Sequence, residues 1–274
     1  MIAYRRLFIL LIACICCGTL AQASDRKKKD KAETKVADWG MVEPDAMPHH
    51  AIASQMPSSP SPTLLPEMRT RRSFNPTHRE GIDVSHYQGR IDWQRVASEG
   101  NVSYAYIKCS EGATIQDEYY RTNIENARRA GLNVGAYHFY RPASSPNDQL
   151  NNMTRIALKR DFDLVPIIDI EHRGNESHGR FIANLRQFIE AVARHYNCRP
   201  MLYTGQNFYN KYLVGEFDDY LWMIAKYKDG PPELSDGMDY AFWQFTSKAR
   251  VPGISGNVDR SCLMSGHKLD DIAM

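Results

Sequence analysis

From Gly81 onward, short apolar runs alternate with amphipathic segments, and this alternation limits the fold more than any other feature of the chain. Eight runs have the length and apolar density of strands: GIDVS, SYAYIKCS, NVGAYHFY, LVPIIDIE, PMLYT, YLWMIAKY, YAFWQFT and NVDRS. Strands that alternate with helices form a mostly parallel sheet. The later helical segments are short or missing, so the pattern predicts a modified TIM-like α/β barrel with about eight strands and fewer than eight helices.

Two amphipathic segments predict helices between these strands. Residues 117–130 end in Arg128 and Arg129, and Gly131 follows as a helix-terminating residue. In residues 179–196 the apolar side chains recur at helical spacing and form one stripe, made of Phe181, Leu185, Phe188, Ile189, Val192 and Tyr196. This stripe predicts a long helix that packs against the sheet.

Residues 1–23 carry a targeting pattern. MIAYRR supplies two arginines, residues 7–20 are apolar, and Ala21-Gln22-Ala23 has the small-x-small form of a cleavage site, so we expect a secretory signal peptide. Leu11-Ile12-Ala13-Cys14 also fits a lipoprotein cleavage box. An uncleaved membrane anchor is a third reading, although the run is shorter than the ~20 apolar residues that span a bilayer. All three readings make the protein exported (periplasmic, secreted or envelope-anchored), with membrane contact only through this segment.

Residues 24–79 are expected to be a polar, Pro/Ser-rich flexible spacer ahead of a catalytic domain at residues 80–274. The segment contains the basic run RKKKDK and the stretch QMPSSPSPTLLPE, and it lacks periodic apolar patterning. The basic run is either a solvated tail or a site of attraction to anionic polymers or lipids of the cell envelope.

Charge and motif content exclude several kinds of function. With a formal net charge of +2, the chain lacks the strongly basic character of a nucleic-acid-binding protein. It has no dinucleotide-binding or P-loop glycine pattern, no His-Glu-x-x-His helix and no paired Cys-x-x-Cys motif. We therefore expect no cofactor and no metal. His86 and His138 are interpreted as hydrogen-bonding wall residues, because no third ligand stands at metal-binding spacing.

Three cysteines lie outside the targeting segment: Cys109, Cys198 and Cys262. An odd number in an exported protein permits at most one internal disulfide, and Cys198 with Cys262 is the candidate pair. Sequence alone does not show whether these two residues approach each other. Cys109 lies within the apolar run YAYIKC, so we expect a small buried hydrophobic residue there.

The run PIIDIEH carries two carboxylates in an otherwise core-forming strand. Successive strand residues point to opposite faces, so Asp169 and Glu171 share one side with Ile167, while Ile168 and Ile170 share the other. An Asp-x-Glu pair also occurs on the solvent face of edge strands. The flanking isoleucines favour a central strand, and hence a functional pair of acids.

Other polar and aromatic residues collect near the ends of the predicted strands, where the catalytic residues of α/β barrels lie. They are Asp83, Tyr137, Tyr203, Trp222, Trp243, Gln244 and Asp259. Carboxylates accept hydrogen bonds from sugar hydroxyls, and glycosidic cleavage needs one carboxyl that stays protonated near neutral pH. The set therefore predicts a carbohydrate site. Trp222 and Trp243 are each either a sugar platform or a core residue.

An ordered series of motifs resembles glycoside hydrolase family 25, the muramidase or Chalaropsis-type lysozyme family. The series opens with GIDVSHYQG and IDW and continues through YIK with SEG, GAYHF, DIE, YT, LW, WQF and VD, over about residues 80 to 262. The resemblance implies an incomplete barrel with fewer helices than a full eightfold one. The short or missing helical segments late in this chain agree with that. It also implies hydrolysis, with retention, of the β-1,4 bond between N-acetylmuramic acid and N-acetylglucosamine in peptidoglycan. We expect the protein to be a monomer.

The resemblance also implies roles for individual residues. Glu171 matches the general acid/base of the family, and Asp169 matches a carboxylate that acts either as nucleophile or by orienting the substrate's acetamido group. Asp83 and Asp259 match two further acids of the site. Tyr137 and Trp222 match groups near the cleavage point.

Two rival functions remain at this stage. A chitinase-like glycosidase would need Asp at positions 164 and 167, where Leu164 and Ile167 stand. A non-catalytic glycan-binding protein on the same barrel is opposed by the presence of all four acids. Peptidoglycan glycan strands are therefore the expected partner.

Overall fold

The computed structural model describes residues 79–274. The targeting segment expected at residues 1–23 and the spacer expected at residues 24–79, apart from Arg79, lie outside the described residues. Arg79 donates a hydrogen bond of 3.1 Å from Nη2 to the carbonyl of Leu263, so this last residue of the expected spacer already contacts the folded part.

The sheet closes into the expected barrel. Within residues 79–274 it has nine strands: β1 Glu80–Val84, β2 Tyr104–Glu111, β3 Ile115–Gln116, β4 Asn133–Phe139, β5 Ile167–Asp169, β6 Met201–Gly205, β7 Trp222–Ala225, β8 Phe242–Ala249 and β9 Val258–Leu263. Their order is β1-β9-β8-β7-β6-β5-β4-β2-β3, and β1 also pairs with β2, which closes a ring of eight. The two-residue strand β3 is an appendage on the end of β2.

Pairing is parallel around most of the ring, as the strand-helix alternation predicts. The last strand, β9, is the exception: it runs antiparallel to both β8 and β1. Antiparallel neighbours need only a short connection, and no crossover helix is required to reach β9.

Five α-helices lie within the described range: α1 Trp93–Glu99, α2 Tyr120–Arg129, α3 Pro146–Ile156, α4 His178–Tyr196 and α5 Gln206–Tyr212. The longest, α4, matches the predicted stripe. It begins after Ser177, whose side chain accepts from the backbone N–H of Arg180, and it ends at Asn197 in a left-handed conformation. Helix α2 starts three residues later than expected, since Asp117 instead accepts a hydrogen bond from the backbone N–H of Tyr119.

Side-chain alternation divides the core in two. Ile168 and Ile170 lie in the cluster between the sheet and the helices, as expected, whereas Ile167 lies inside the barrel. The inner cluster also contains Tyr104 and Tyr106. Strand β5 is shorter than the predicted run LVPIIDIE, and it starts after Pro166, which cannot donate to the ladder.

The end of the barrel where the parallel strands begin is closed by residues 269–274. A short 3-10 helix at Leu269–Ile272 buries its first and last side chains in the inner cluster. The backbone N–H of Val165 donates to the carbonyl of Ile272 at 2.8 Å, and Leu164 bridges to Ala273. These contacts cover the inner cluster at this end of the barrel.

The three cysteines of the described range are free thiols, so the candidate bridge between Cys198 and Cys262 is not formed. Cys109 is fully buried on the helix side of β2, as expected from its apolar run. Among the described residues, none of the helices is long and apolar enough to cross a membrane.

The close contact inside the barrel at Gly135 generates a stability prediction. A Cβ at this position of β4 would lie 2.3 Å from Cε1 of Tyr106. We expect Gly135→Ala to lower the free energy of unfolding by roughly 1–3 kcal/mol, because the ring or the strand must shift. Urea titration followed by tryptophan fluorescence measures the change. Gly179→Ala in α4, where nothing lies within 4 Å of an added Cβ, is the control, and an equal loss in both variants would contradict the packing argument.

Candidate active site

A cavity of about 210 Å³ opens at the carboxyl ends of the parallel strands. Its walls carry four carboxylates, three tyrosines, a lysine and two amides: Asp83, Asp169, Glu171, Asp259, Tyr87, Tyr137, Tyr203, Lys108, Gln88 and Gln244. The structure thus brings together all four predicted acids, both predicted tyrosines and the predicted glutamine. A concave pocket with convergent polar groups is the usual form of a ligand site.

Asp83 and Asp259 face each other across the seam of the barrel. They are direct partners in the antiparallel register of β1 and β9. Burial and the neighbouring charge of Asp259 raise the pKa of Asp83 to about 7. Partial burial and the charge of Glu171 raise the pKa of Asp259 to about 6. Near neutral pH a fraction of each of these two carboxyls is therefore protonated.

Gln244 links one of these acids to two tyrosines. Its Nε2 donates to Oδ2 of Asp83 at 3.1 Å, and this bond opposes the rise in the pKa of that carboxyl. Its Oε1 accepts from the hydroxyls of Tyr203, at 2.8 Å, and Tyr227, at 2.6 Å. Because both ends of the amide are occupied, Gln244 holds this wall of the cavity in one arrangement.

Asp169 is buried at the end of β5 and points into the barrel, in line with Ile167. Its Oδ1 has no hydrogen-bond partner. Burial, and secondly the charge of Glu171, raise its pKa well above the usual value, while Lys108 opposes this rise. A buried oxygen without a partner costs free energy, so this atom is poised to accept a hydrogen bond from a bound molecule.

Glu171 lies two residues beyond β5, and its side chain is exposed at the cavity mouth. Reduced hydration in the cleft raises its pKa, and the positive charges of Lys108 and Arg141 oppose that rise. The carboxyl therefore keeps its proton to higher pH than a free glutamate, while it remains accessible to a ligand.

Lys108, which the motif analysis did not single out as a site residue, is the buried cation of the cavity. Its Nζ donates to Glu111 at 2.6 Å, and Glu111 also accepts from Arg141 Nε at 2.8 Å. Arg141 Nη1 in turn contacts His172 Nε2 at 2.9 Å. The alternation of YAYIK was the available signal, since it places Lys108 on the same inward face as Tyr104 and Tyr106.

The two predicted tryptophans are not brought to the cavity. Trp222 is fully buried between the sheet and the helices, with its ring 5.1 Å from that of Tyr209. Trp243 packs against the same outer cluster and donates from Nε1 to the carbonyl of Lys226. The inward positions of these strands belong instead to Met223 and Gln244.

Both histidines considered from the sequence have hydrogen-bond partners. Buried His138 contacts Ser110 Oγ at 2.8 Å through Nδ1 and Gln149 at 3.2 Å through Nε2. His86 Nδ1 pairs with Asp117 at 2.8 Å. Over residues 79–274, no group of three His, Cys, Asp or Glu side chains is arranged to hold a metal ion.

Comparison with known proteins decides the family. The model of glycosyl hydrolases family 25 matches residues 82–254. The chain belongs to this family. Family 25 membership covers the barrel from Ile82 to Ile254 and includes three of the four cavity acids, while Asp259 on β9 lies just past the matched residues.

Similar proteins come from several bacteria. Uncharacterized protein YegX of Escherichia coli K12 is 36% identical over 183 residues, 65% of this chain and 67% of that protein. Lysozyme M1 of Streptomyces globisporus is 34% identical over 211 residues, 72% of this chain and 71% of that protein. The structure of a family 25 glycosyl hydrolase from Bacillus anthracis superposes with a TM-score of 0.65 at 28% identity, over 71% of this chain and 93% of that one.

The facing pair on β1 and β9 of this family 25 barrel predicts a pH-dependent stability. An acid whose pKa is raised on folding costs stability above its folded pKa, and the cost vanishes below its unfolded value of 3.8. We expect Asp259→Asn to raise the free energy of unfolding at pH 8 by roughly 1 kcal/mol, and by much less at pH 4. Carboxyl NMR titration should also show a lower pKa for Asp83.

Urea titrations at the two pH values measure the stability change. Asp270→Asn alters an exposed acid outside the cavity and serves as the matched control. A gain for Asp259→Asn that is equal at pH 4 and pH 8 would contradict the electrostatic origin.

Proposed function

We propose that the protein is an exported peptidoglycan muramidase that hydrolyses the β-1,4 bond between N-acetylmuramic acid and N-acetylglucosamine with retention. The observation that carries the proposal is the Asp169–Glu171 pair: two carboxyls at one strand end, both with raised pKa, at the open mouth of a family 25 barrel. The resemblance to Lysozyme M1 supports the substrate class. The targeting pattern at residues 1–23 supports export.

Glu171 acts first as general acid in this mechanism. Its raised pKa favours the protonated carboxyl, and its exposure at the mouth lets it reach the oxygen of a glycosidic bond. Proton transfer to that oxygen releases the leaving sugar as an alcohol while positive charge develops at the anomeric carbon. The resulting carboxylate then takes a proton from the water that completes hydrolysis.

Asp169 positions the group that attacks the anomeric carbon. Its unpartnered Oδ1 accepts the N–H of the substrate's 2-acetamido group, which turns the acetamido oxygen toward that carbon. Attack by this oxygen forms a cyclic intermediate on one face, and water later attacks from the other, so the configuration is retained. Positive charge that develops on the intermediate favours the ionised form of Asp169, against the burial that raises the pKa of this carboxyl, and the carboxylate in turn stabilises that charge.

The remaining walls suit a sugar chain. Tyr87 is 80% exposed beside the cavity, and aromatic faces pack against the C–H faces of sugar rings. Asp83 and Asp259 are placed to accept hydroxyl hydrogen bonds, and Tyr137 lines the wall between them and Asp169. The proposed partner is thus a peptidoglycan glycan strand bound by a monomer, with no cofactor.

Removal of the acid tests the central assignment. We expect Glu171→Gln to lower kcat for release of reducing sugar from purified peptidoglycan by about 10²–10⁴-fold, because the amide cannot donate a proton to the leaving oxygen. Glu190→Gln on the exposed face of α4 is the control and should keep full activity. Near-wild-type turnover by Glu171→Gln would contradict the assignment of the general acid. Product analysis on peptidoglycan and on chitin distinguishes a muramidase from a chitinase-like enzyme.

The stereochemistry provides an independent prediction. Proton NMR during the first minutes of digestion should show the β anomer of the new reducing end before it equilibrates, because two successive displacements preserve configuration. Initial appearance of the α anomer would indicate direct attack by water and would contradict the role given to Asp169.

A further inference from the structure

A second cavity of about 500 Å³ adjoins the first and shares Glu171 and Tyr203 with it. Its other walls come from the end of β6, the start of α5 and the segment after β7: Gly205, Gln206, Asn207, Phe208, Ala225, Lys226, Tyr227 and Lys228. Tyr227 belongs to the partition, because its hydroxyl donates to Gln244 of the first cavity. The two cavities therefore form one cleft with Glu171 at the junction.

The two halves of this cleft differ in charge. The first cavity is lined by four carboxylates and one lysine, and Lys108 is already paired with Glu111 at 2.6 Å. The second is lined by Lys226 and Lys228, and Glu171 at the shared wall is its one acid. An anionic substituent is repelled from the first half and attracted to the second.

The two lysines differ in how freely they can meet a ligand. Lys226 Nζ donates to the carbonyl of Pro231 at 2.8 Å, which leaves two of its three N–H groups for a ligand. Lys228 is exposed, and the described residues provide no ion pair or side-chain hydrogen bond for it. Both ammonium groups lie on the same segment after β7, beside the half-exposed ring of Tyr227.

We propose that this second cavity receives the anionic peptide substituent of the muramic acid residue, with Lys228 and Lys226 contacting its carboxylates. The proposal rests on the proposed function and extends it to substrate choice. A glycan strand of N-acetylated sugars is uncharged along its backbone. The peptide is joined to the lactyl group by an amide bond, so the negative charge of a peptide-bearing strand lies on the carboxylates of the peptide. The phenol face of Tyr227 and the ring of Phe208 pack against the apolar part of the substituent, while the lysines select its charge.

Paired substrates test this inference. The double variant Lys226→Gln/Lys228→Gln is assayed on peptidoglycan that keeps its peptides and on strands from which an amidase has removed them. We expect roughly a threefold to fivefold loss in kcat/KM on the peptide-bearing strands, carried by KM, and a clearly smaller loss on the stripped strands, where the amidase leaves only the lactyl carboxylate. The loss should shrink at high ionic strength, and Lys226→Arg/Lys228→Arg should restore activity.

Lys268→Gln is the matched control, because it removes one exposed lysine at the opposite end of the barrel. An equal loss on both substrates, or no loss on either, would overturn the inference. A wild-type protein that releases no reducing sugar from either substrate would instead overturn the proposed function. The two failures are therefore separable.

Discussion

The alternation of side chains on β5 is the constraint on which the rest of the site depends. One face of this three-residue strand is packed under the helices through Ile168, and the other turns Asp169 toward the interior. A register shift by one residue would bury the carboxylate in the outer core and expose isoleucine to the cleft. The same apolar packing that stabilises the barrel therefore fixes the direction of the acid. The carboxyl of Asp169 stays buried, although this is unfavourable, because Ile168 is held on the opposite face of the strand.

Electrostatic strain in the cleft follows from this geometry. Four carboxylates share one small cavity, and each of them has a raised pKa. The charge of Lys108 opposes the rise in the pKa of Asp169 and of Glu171 but does not cancel it. Lys108 is itself paired with Glu111, which also pairs with Arg141. Carboxyls buried and crowded in this way lower the stability of the fold, a relation that is common between functional sites and the rest of a protein.

Local pattern was sufficient to predict the barrel, its long helix α4 and the inward acids, because each depends on the spacing of apolar residues along a single element. The tryptophans were harder. YLWMIAKY is apolar on both faces, so parity could not be assigned until pairing with β6 aligned Tyr203 with Met223 and turned Trp222 outward. Likewise, Lys108 is linked through Glu111 to Arg141, which follows β4, and this link joins residues far apart in the chain. The separation of Cys198 from Cys262 depends on how the whole ring of strands closes. Such relations between elements leave little trace in a single sequence.

The antiparallel strand β9 has a consequence for how the protein matures. Asp259 reaches the cleft only when β9 inserts between β8 and β1, so the seam that closes the ring joins the first strand of the barrel to the last. A ribosome-bound chain that stops short of this strand has β1 with an open edge and a cleft with three acids. Completion of the acid set is thus tied to the insertion of β9, and a chain without this strand lacks both the closed ring and the fourth acid of the cleft.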